Sequence, residues 1–194
     1  MNRSLVGLPA PSFKAKAVVN HTILNNFSLK DFCGQYIFFF FYPLDFTFVC
    51  PTELHAFEEK REEFLKRNAQ LVACSIDSPF SHLAWLNTPK KEGGIEGIKY
   101  PLVSDINKDI ARSYGVLNEE EGIAYRGQFL IDTKGIVRHQ LINDFPIGRS
   151  VDEALRLLDA LIFNEENGEV CPANWVKGSK GMHPSESGLH HYFE

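Results

Sequence analysis

Hydrophobic and polar positions follow two different periods along this chain, and the changes of period divide it into elements. Residues 35–42 read QYIFFFFY, an apolar run without polar alternation. Such a run suits a strand buried on both faces, the centre of a parallel sheet. After Pro51 the period becomes helical: Leu54, Phe57, Phe64 and Leu65 approximate one face, while Glu62–Lys66 and Glu63–Arg67 are favourable i,i+4 pairs. AQLVACSID reads as a second buried strand. Phe80 to Asn87 reads as a helix ended before Pro89. A glycine-rich loop, KKEGGIEGIKYP, leads to a strand in PLVSD, and Lys108 to Tyr114 fits a short helix stopped by Gly115. QFLID and GIVRHQLI flank Thr133-Lys134 as a hairpin. SVDEALRLLDALIF is the clearest helix: Val151, Ala154, Leu155, Leu158, Leu161 and Ile162 keep the 3.6 period, and Ser150 with Glu153 forms a capping box. Ahead of all this, FKAKAVVNHTILNNFSLKDF reads as short strands with turns at Asn20-His21 and Asn25-Asn26.

This order predicts an α/β sandwich with a mixed sheet. It is compatible with a thioredoxin-like fold carrying insertions, and equally with a flavodoxin-like sheet. The expected division is a domain over residues 1–164 and a polar arm over 165–194 that carries Cys171 and lies over the surface or on a partner.

Composition narrows the function classes. Hydrophobic residues form 44% of the 194, enough for a sizeable core, and the net charge of −5 offers no basic footprint for nucleic acid. The longest apolar run, Tyr36 to Tyr42, is far short of the roughly 18 residues of a spanning helix, so no membrane role is expected. MNRSLVGLPAPSF lacks the apolar core of a secretory signal, which leads to the expectation of a reducing, cytoplasmic setting. The four cysteines, 33, 50, 74 and 171, then read as free thiols, structural or reactive. No C-x-x-C occurs, which argues against a zinc ribbon and a thioredoxin-type redox pair. No cofactor and no metal are expected.

Cys50 is the thiol to question. It falls between the end of the aromatic strand and the start of the helix. Unpaired N–H groups and the positive dipole end converge at such a place and favour thiolate. Thr47 is three residues away, and Pro43 restricts the incoming backbone. Spacing alone leaves a second reading open: Cys50 as a small buried hydrophobe and Thr47 as a plain N-cap.

The stretch FYPLDFTFVCPTE, Phe41 to Glu53, resembles the P-x-x-x-T-x-x-C motif of the peroxiredoxins. HLAWLNTPKKEGG (82–94), YRGQFLID (125–132) and GEVCPANW (168–175) are similar to the typical two-cysteine branch, in matching order and spacing. The resemblance covers nearly the whole chain, and it implies the thioredoxin-like fold, with an N-terminal hairpin extension and a C-terminal arm. By it, Cys50 is the peroxidatic cysteine, Thr47 hydrogen-bonds the peroxide and Pro43 limits water access. Arg126 supplies a fixed charge to sulfur and developing oxyanion. Glu53 helps orient Arg126, or else is an acid favouring a helix start. Arg149 matches a position near the pocket, or else is a loop cation. Cys171 is the resolving thiol, forming a disulfide with Cys50 of a second chain. A homodimer follows, assembled into a decamer of five dimers, with hydrogen peroxide and alkyl hydroperoxides as substrates. Thioredoxin or a dedicated flavoprotein disulfide reductase then regenerates the thiols.

In peroxide-sensitive members of that family, a Gly-Gly-Leu-Gly loop and a C-terminal Tyr-Phe pair slow the opening of the peroxidatic helix. Here Tyr192-Phe193 fits, while the loop reads Gly93-Gly94-Ile95-Glu96 with Gly97 one place late, so intermediate sensitivity to sulfinic acid is expected. Cys33 and Cys74 match no catalytic position, and Trp85 reads as packing. A cysteine hydrolase is a rival reading, but Cys50 and His55 are a poor helical pair. Holdase chaperone activity of the oligomer is the alternative from another class.

Overall fold

The computed structural model describes residues 4–194. They form two compact units, one ending at Arg149 and the other spanning Ser150–Glu194. The long amphipathic helix falls in the second of these units, with the polar arm that the sequence reading begins at residue 165.

The first unit is built on a seven-stranded mixed sheet. Its elements in chain order are β1 (Ala15–Val19), β2 (Thr22–Phe27), β3 (Tyr36–Phe41), α1 (Val49–Glu59), α2 (Arg61–Lys66), β4 (Ala69–Ser75), α3 (Pro79–Leu86), β5 (Leu102–Ser104), α4 (Asp109–Ser113), the short pair β6 (Leu117–Asn118) and β7 (Ile123–Ala124), then β8 (Arg126–Ile131) and β9 (Val137–Asn143). Strand order is β2-β1-β5-β4-β3-β8-β9, with β6 and β7 forming a separate two-stranded ladder. β3 pairs parallel with β4 and β4 with β5; β1 joins β5 antiparallel, and β8 joins β3 antiparallel. The mixed α/β sandwich and its N-terminal hairpin are therefore present as the pattern indicated.

Every residue of β3 is buried. On one face Phe38 and Phe40 meet Phe57 and Phe64 of the α1–α2 layer, with Phe40 stacked on Phe57 at 4.3 Å. On the other, Phe39 and Phe41 meet Tyr114 and Phe129. Removing one such ring from water is worth roughly 1.5–3 kcal/mol, which explains why no polar residue interrupts the run. The β1–β2 turn places Asn20 at φ 47° and His21 at φ 59°, the left-handed pair that a two-residue hairpin requires and asparagine tolerates. The second expected turn does not form: Asn25 and Asn26 stay within edge strand β2, where side chains at successive positions face solvent. The hairpin between β8 and β9 is held by Asp132 Oδ1, which accepts from the backbone N–H groups of Lys134 and Ile136.

In the second unit α5 (Val151–Asn167) opens on Ser150, whose hydroxyl accepts from the Glu153 N–H, and closes on Gly168 at φ 67°. The chain returns through a bridge between Val170 and Met182. It ends in α6 (Glu186–Phe193), capped by Ser185, a helix that the polar composition beyond Asn164 did not reveal. Among the described residues no helix is long and apolar enough to cross a membrane.

Candidate active site

Cys50 is the second residue of α1 and has no exposed surface. The loop that delivers it, between Phe41 and Val49, contains Pro43, buried, and Thr47, half-buried. Phe48 occupies the N-cap position of α1 without a side-chain cap bond, so Thr47 is not the N-cap. Its hydroxyl donates instead to the Leu44 carbonyl at 3.0 Å. With its proton committed there, the Thr47 oxygen offers lone pairs to an incoming O–H. Pro51, third in the helix, lacks an N–H where none would have an intrahelical partner.

Sheet register brings the cation to the sulfur. Phe40 pairs with Gln128, so Arg126, two residues earlier in the antiparallel β8, lies beyond the end of β3, where the chain departs toward Cys50. Arg126 Nη1 lies 3.4 Å from Cys50 Sγ and donates to Glu53 Oε2 at 2.7 Å, while its Nε donates to the Phe145 carbonyl at 2.7 Å. Phe145 is itself stacked on Tyr125 at 4.9 Å and 18°. Glu53, one turn along α1 from Cys50, also takes bonds from Arg149: Oε1 accepts from its backbone N–H and Nε, and Oε2 from its Nη2, all within 2.9 Å. Arg149 Nη1 donates to the carbonyls of Phe41 and Gly127, and its guanidinium lies 5.2 Å from the centre of the Phe40 ring.

Arg126, Glu53 and Arg149 are all buried. Two guanidiniums and one carboxylate leave one positive charge uncompensated in a medium that penalises it, and an anionic Cys50 sulfur would neutralise the set. The arrangement can therefore hold a thiolate and present a guanidinium to an oxygen bound beside it. Gly127 is required by this packing, because a Cβ there would lie 2.5 Å from Val116 Cγ1.

A polar network under the same loop escaped the sequence reading. The Tyr42 hydroxyl donates to Asp45 Oδ1 at 2.8 Å, His82 Nδ1 lies 2.8 Å from Asp45 Oδ2, and Ser81 Oγ donates to that oxygen at 2.8 Å. His82 Nε2 faces the Val103 carbonyl at 3.2 Å, so both ring nitrogens address acceptors. The Asp45 N–H donates to Asp77. Burial raises the Tyr42 pKa well above its ordinary value, with the Asp45 carboxylate adding to it. The available signal was a histidine at an apolar helical position in PFSHLAWL. The Gly93–Gly94 segment is fixed on two sides, by Trp85 Nε1 donating to the Gly93 carbonyl and His55 Nε2 donating to that of Gly94.

All four cysteines are free thiols. Cys74 is buried on β4, and burial raises its pKa well above the ordinary thiol value. Cys33 is exposed after a 3-10 turn at Leu29–Phe32. Cys171 belongs to the second unit, where its Sγ–H donates to the Ala160 carbonyl at 3.4 Å. Burial raises its pKa, and the nearby Arg156 opposes that rise.

Comparisons with known proteins identify the family. The family described as AhpC/TSA matches residues 6–140, and the description "C-terminal domain of 1-Cys peroxiredoxin" matches 160–194, although here that segment carries Cys171. The chain is 55% identical to a thioredoxin peroxidase of Echinococcus granulosus, over 96% of each chain. It is 56% identical to Peroxiredoxin-4 of Dictyostelium discoideum, over 96% of this chain and 71% of that protein. The structure of reduced 2-Cys peroxiredoxin from Plasmodium vivax superposes with a TM-score of 0.95 at 47% identity, covering 98% of this chain and 99% of that one. A thiol held by a buried guanidinium at the end of a thioredoxin-like sheet, in a chain with these relatives, belongs to the AhpC/TSA family, and the protein is a peroxiredoxin, an enzyme that reduces peroxides through a cysteine thiol.

Proposed function

We propose that Cys50 is the peroxidatic cysteine of this enzyme and Cys171 the resolving one. The observation that supports it most directly is the 3.4 Å approach of Arg126 Nη1 to Cys50 Sγ, with the guanidinium fixed by Glu53 and the Phe145 carbonyl. The Cys50 thiolate attacks the terminal oxygen of hydrogen peroxide or an alkyl hydroperoxide. The O–O bond breaks, sulfur is oxidised to sulfenic acid, and hydroxide or alkoxide leaves to be protonated as water or alcohol. Thr47 accepts a hydrogen bond from the peroxide, Arg126 stabilises the charge passing to the leaving oxygen, and Pro43 keeps water from the sulfur. Glu53 and Arg149 are positioning residues, acting through Arg126.

A sulfur with no exposed surface cannot meet a second thiol until the first turn of α1 opens. The bare N-cap at Phe48 makes that turn the weak end of the helix. The Cys171 thiolate of a second chain then attacks the Cys50 sulfenic sulfur; the S–S bond forms as the S–O bond breaks, and the oxygen leaves as hydroxide, which solvent protonates to water. This makes the working unit a homodimer, grouped as a decamer of five dimers in a cytoplasmic setting. Thioredoxin supplies the two electrons that reopen the disulfide, with a flavoprotein disulfide reductase as the other donor class. Non-reducing electrophoresis after one equivalent of peroxide tests the scheme. Wild type gives a disulfide-linked dimer, and both Cys50→Ser and Cys171→Ser remain monomeric. A linked dimer in Cys171→Ser would assign the resolving role to another thiol.

A further inference from the structure

The loop between β3 and α1 is tied down through a single peptide unit, the one joining Leu44 to Asp45. The Leu44 carbonyl accepts the Thr47 hydroxyl at 3.0 Å, and the Asp45 N–H donates to Asp77 Oδ2 at 2.9 Å. A trans peptide group is planar, with its carbonyl and its N–H pointing in opposite directions. Whatever fixes the N–H therefore fixes the direction in which the carbonyl can receive Thr47.

Asp77 is itself anchored on the central sheet. Its Oδ2 accepts from Ser75 Oγ at 2.6 Å, its N–H donates to the same hydroxyl at 3.2 Å, and its carbonyl accepts from Ser104 Oγ at 2.6 Å. Ser75 and Ser104 are buried and pair with each other across β4 and β5. The loop needs such an anchor, because Phe46, between Asp45 and Thr47, lies at φ 54°, a left-handed conformation that is unfavourable for a bulky side chain. The bonds from Tyr42, Ser81 and His82 act on the Asp45 carboxylate. The bond to Asp77 acts on the peptide plane.

We propose that Asp77 is a positioning residue for peroxide reduction: through the Leu44–Asp45 peptide it fixes the direction of the Thr47 O–H, so that the oxygen keeps its lone pairs toward the incoming peroxide. The inference rests on the roles assigned to Cys50 and Thr47 above. Without the Asp77 carboxylate the peptide can turn, and the Thr47 proton loses its acceptor. The peroxide then meets a hydroxyl with no set orientation, while Arg126 and the sulfur are untouched.

The test compares two reactions of Cys50 in the full chain. Oxidation by hydrogen peroxide, followed by stopped flow, uses the Thr47 acceptor. Alkylation by iodoacetamide, followed by peptide mass spectrometry, needs the thiolate and no acceptor. Thr47→Val slows oxidation by about 10²-fold. Asp77→Ala slows it by about tenfold, and Cys50 alkylation in both variants stays within about twofold of wild type. Asp77→Asn keeps a side-chain oxygen as acceptor and recovers all but about twofold of the loss. In a Thr47→Val background Asp77→Ala costs nothing more, because no hydroxyl remains to be oriented. Oxidation at the wild-type rate in Asp77→Ala, with Thr47→Val slow, would overturn this inference and leave the role of Thr47 standing. A wild-type rate in Thr47→Val would overturn both. Losses that multiply in the double variant, or alkylation that falls in step with oxidation, would make Asp77 a support of the fold alone and also overturn the proposal.

Discussion

Cys50 and Cys171 carry the same side chain in opposite surroundings. Cys50 is fully enclosed at a helix start, with a guanidinium at 3.4 Å whose own position is fixed by three acceptors, the sulfur among them. Cys171 is half-buried in an irregular segment after α5, bonded only to a backbone carbonyl, and its pKa is raised by burial against a modest opposing effect from Arg156. On the proposed assignment the first thiol meets the small oxidant, and the second, its pKa raised by burial, waits for a partner sulfur. The difference between them lies in their neighbours.

The strongest way to break this comparison is to remove each sulfur. Cys50→Ser abolishes peroxide consumption, whereas Cys171→Ser still takes up one oxygen per chain, seen as a single mass increment, and stops there. Equal loss of the first oxidation in both variants would mean the thiols do not divide the work. Next comes the cation: Arg126→Met slows sulfenic acid formation by about 10²–10³-fold in stopped-flow measurements, the effect of losing one preorganised donor, with Cys171 alkylation unchanged. The pH dependence separates the two further. Because the Cys171 pKa is raised, its thiolate is scarce at neutral pH and grows about tenfold per pH unit until the raised pKa is reached. Disulfide formation from preformed sulfenic acid therefore accelerates as pH rises through and beyond the ordinary thiol range, and a flat profile would contradict this. Arg156→Met, which removes the opposing charge, raises that pKa further and slows disulfide formation at neutral pH by a few fold. The smallest effect is expected from Tyr125→Ala. It removes the ring stacked on Phe145 and loosens the carbonyl that holds Arg126 Nε, lowering the rate of the first oxidation by about twofold, with thermal stability measured alongside. A rate loss that tracks only the melting temperature would leave the stack a structural role.

Much of this is legible in the sequence. The aromatic run of β3, the helical period of α5 and the hairpin around Asp132 are strong local signals, because each is a repeated burial demand on consecutive residues. The resemblance singled out Pro43, Thr47, Cys50 and Glu53 from one stretch and Arg126 from another. Less was legible where bonding depends on contacts between distant segments. Phe145 enters through its backbone carbonyl, which no side-chain pattern announces. His82 and Asp45 are 37 residues apart and meet only because α3 packs beneath the loop. Arg149 read as easily as a loop cation, yet it makes three bonds to Glu53 from both backbone and side chain. The Asn25-Asn26 turn did not form because the pair is absorbed as an irregularity of the β1–β2 ladder, between the Leu24–Ala17 and Phe27–Ala15 pairs, and solvent takes its side chains. The short α6 was obscured by its polar composition, although Ser185 was available as its cap.

Gly127 follows Arg126 directly, and its missing side chain leaves the space that Val116 fills while its carbonyl receives Arg149. A side chain at position 127 would press on Val116 and shift the backbone that carries both the Arg126 cation and the carbonyl received by Arg149, so a single methyl group on a residue outside the chemistry would be felt at the sulfur through the strand.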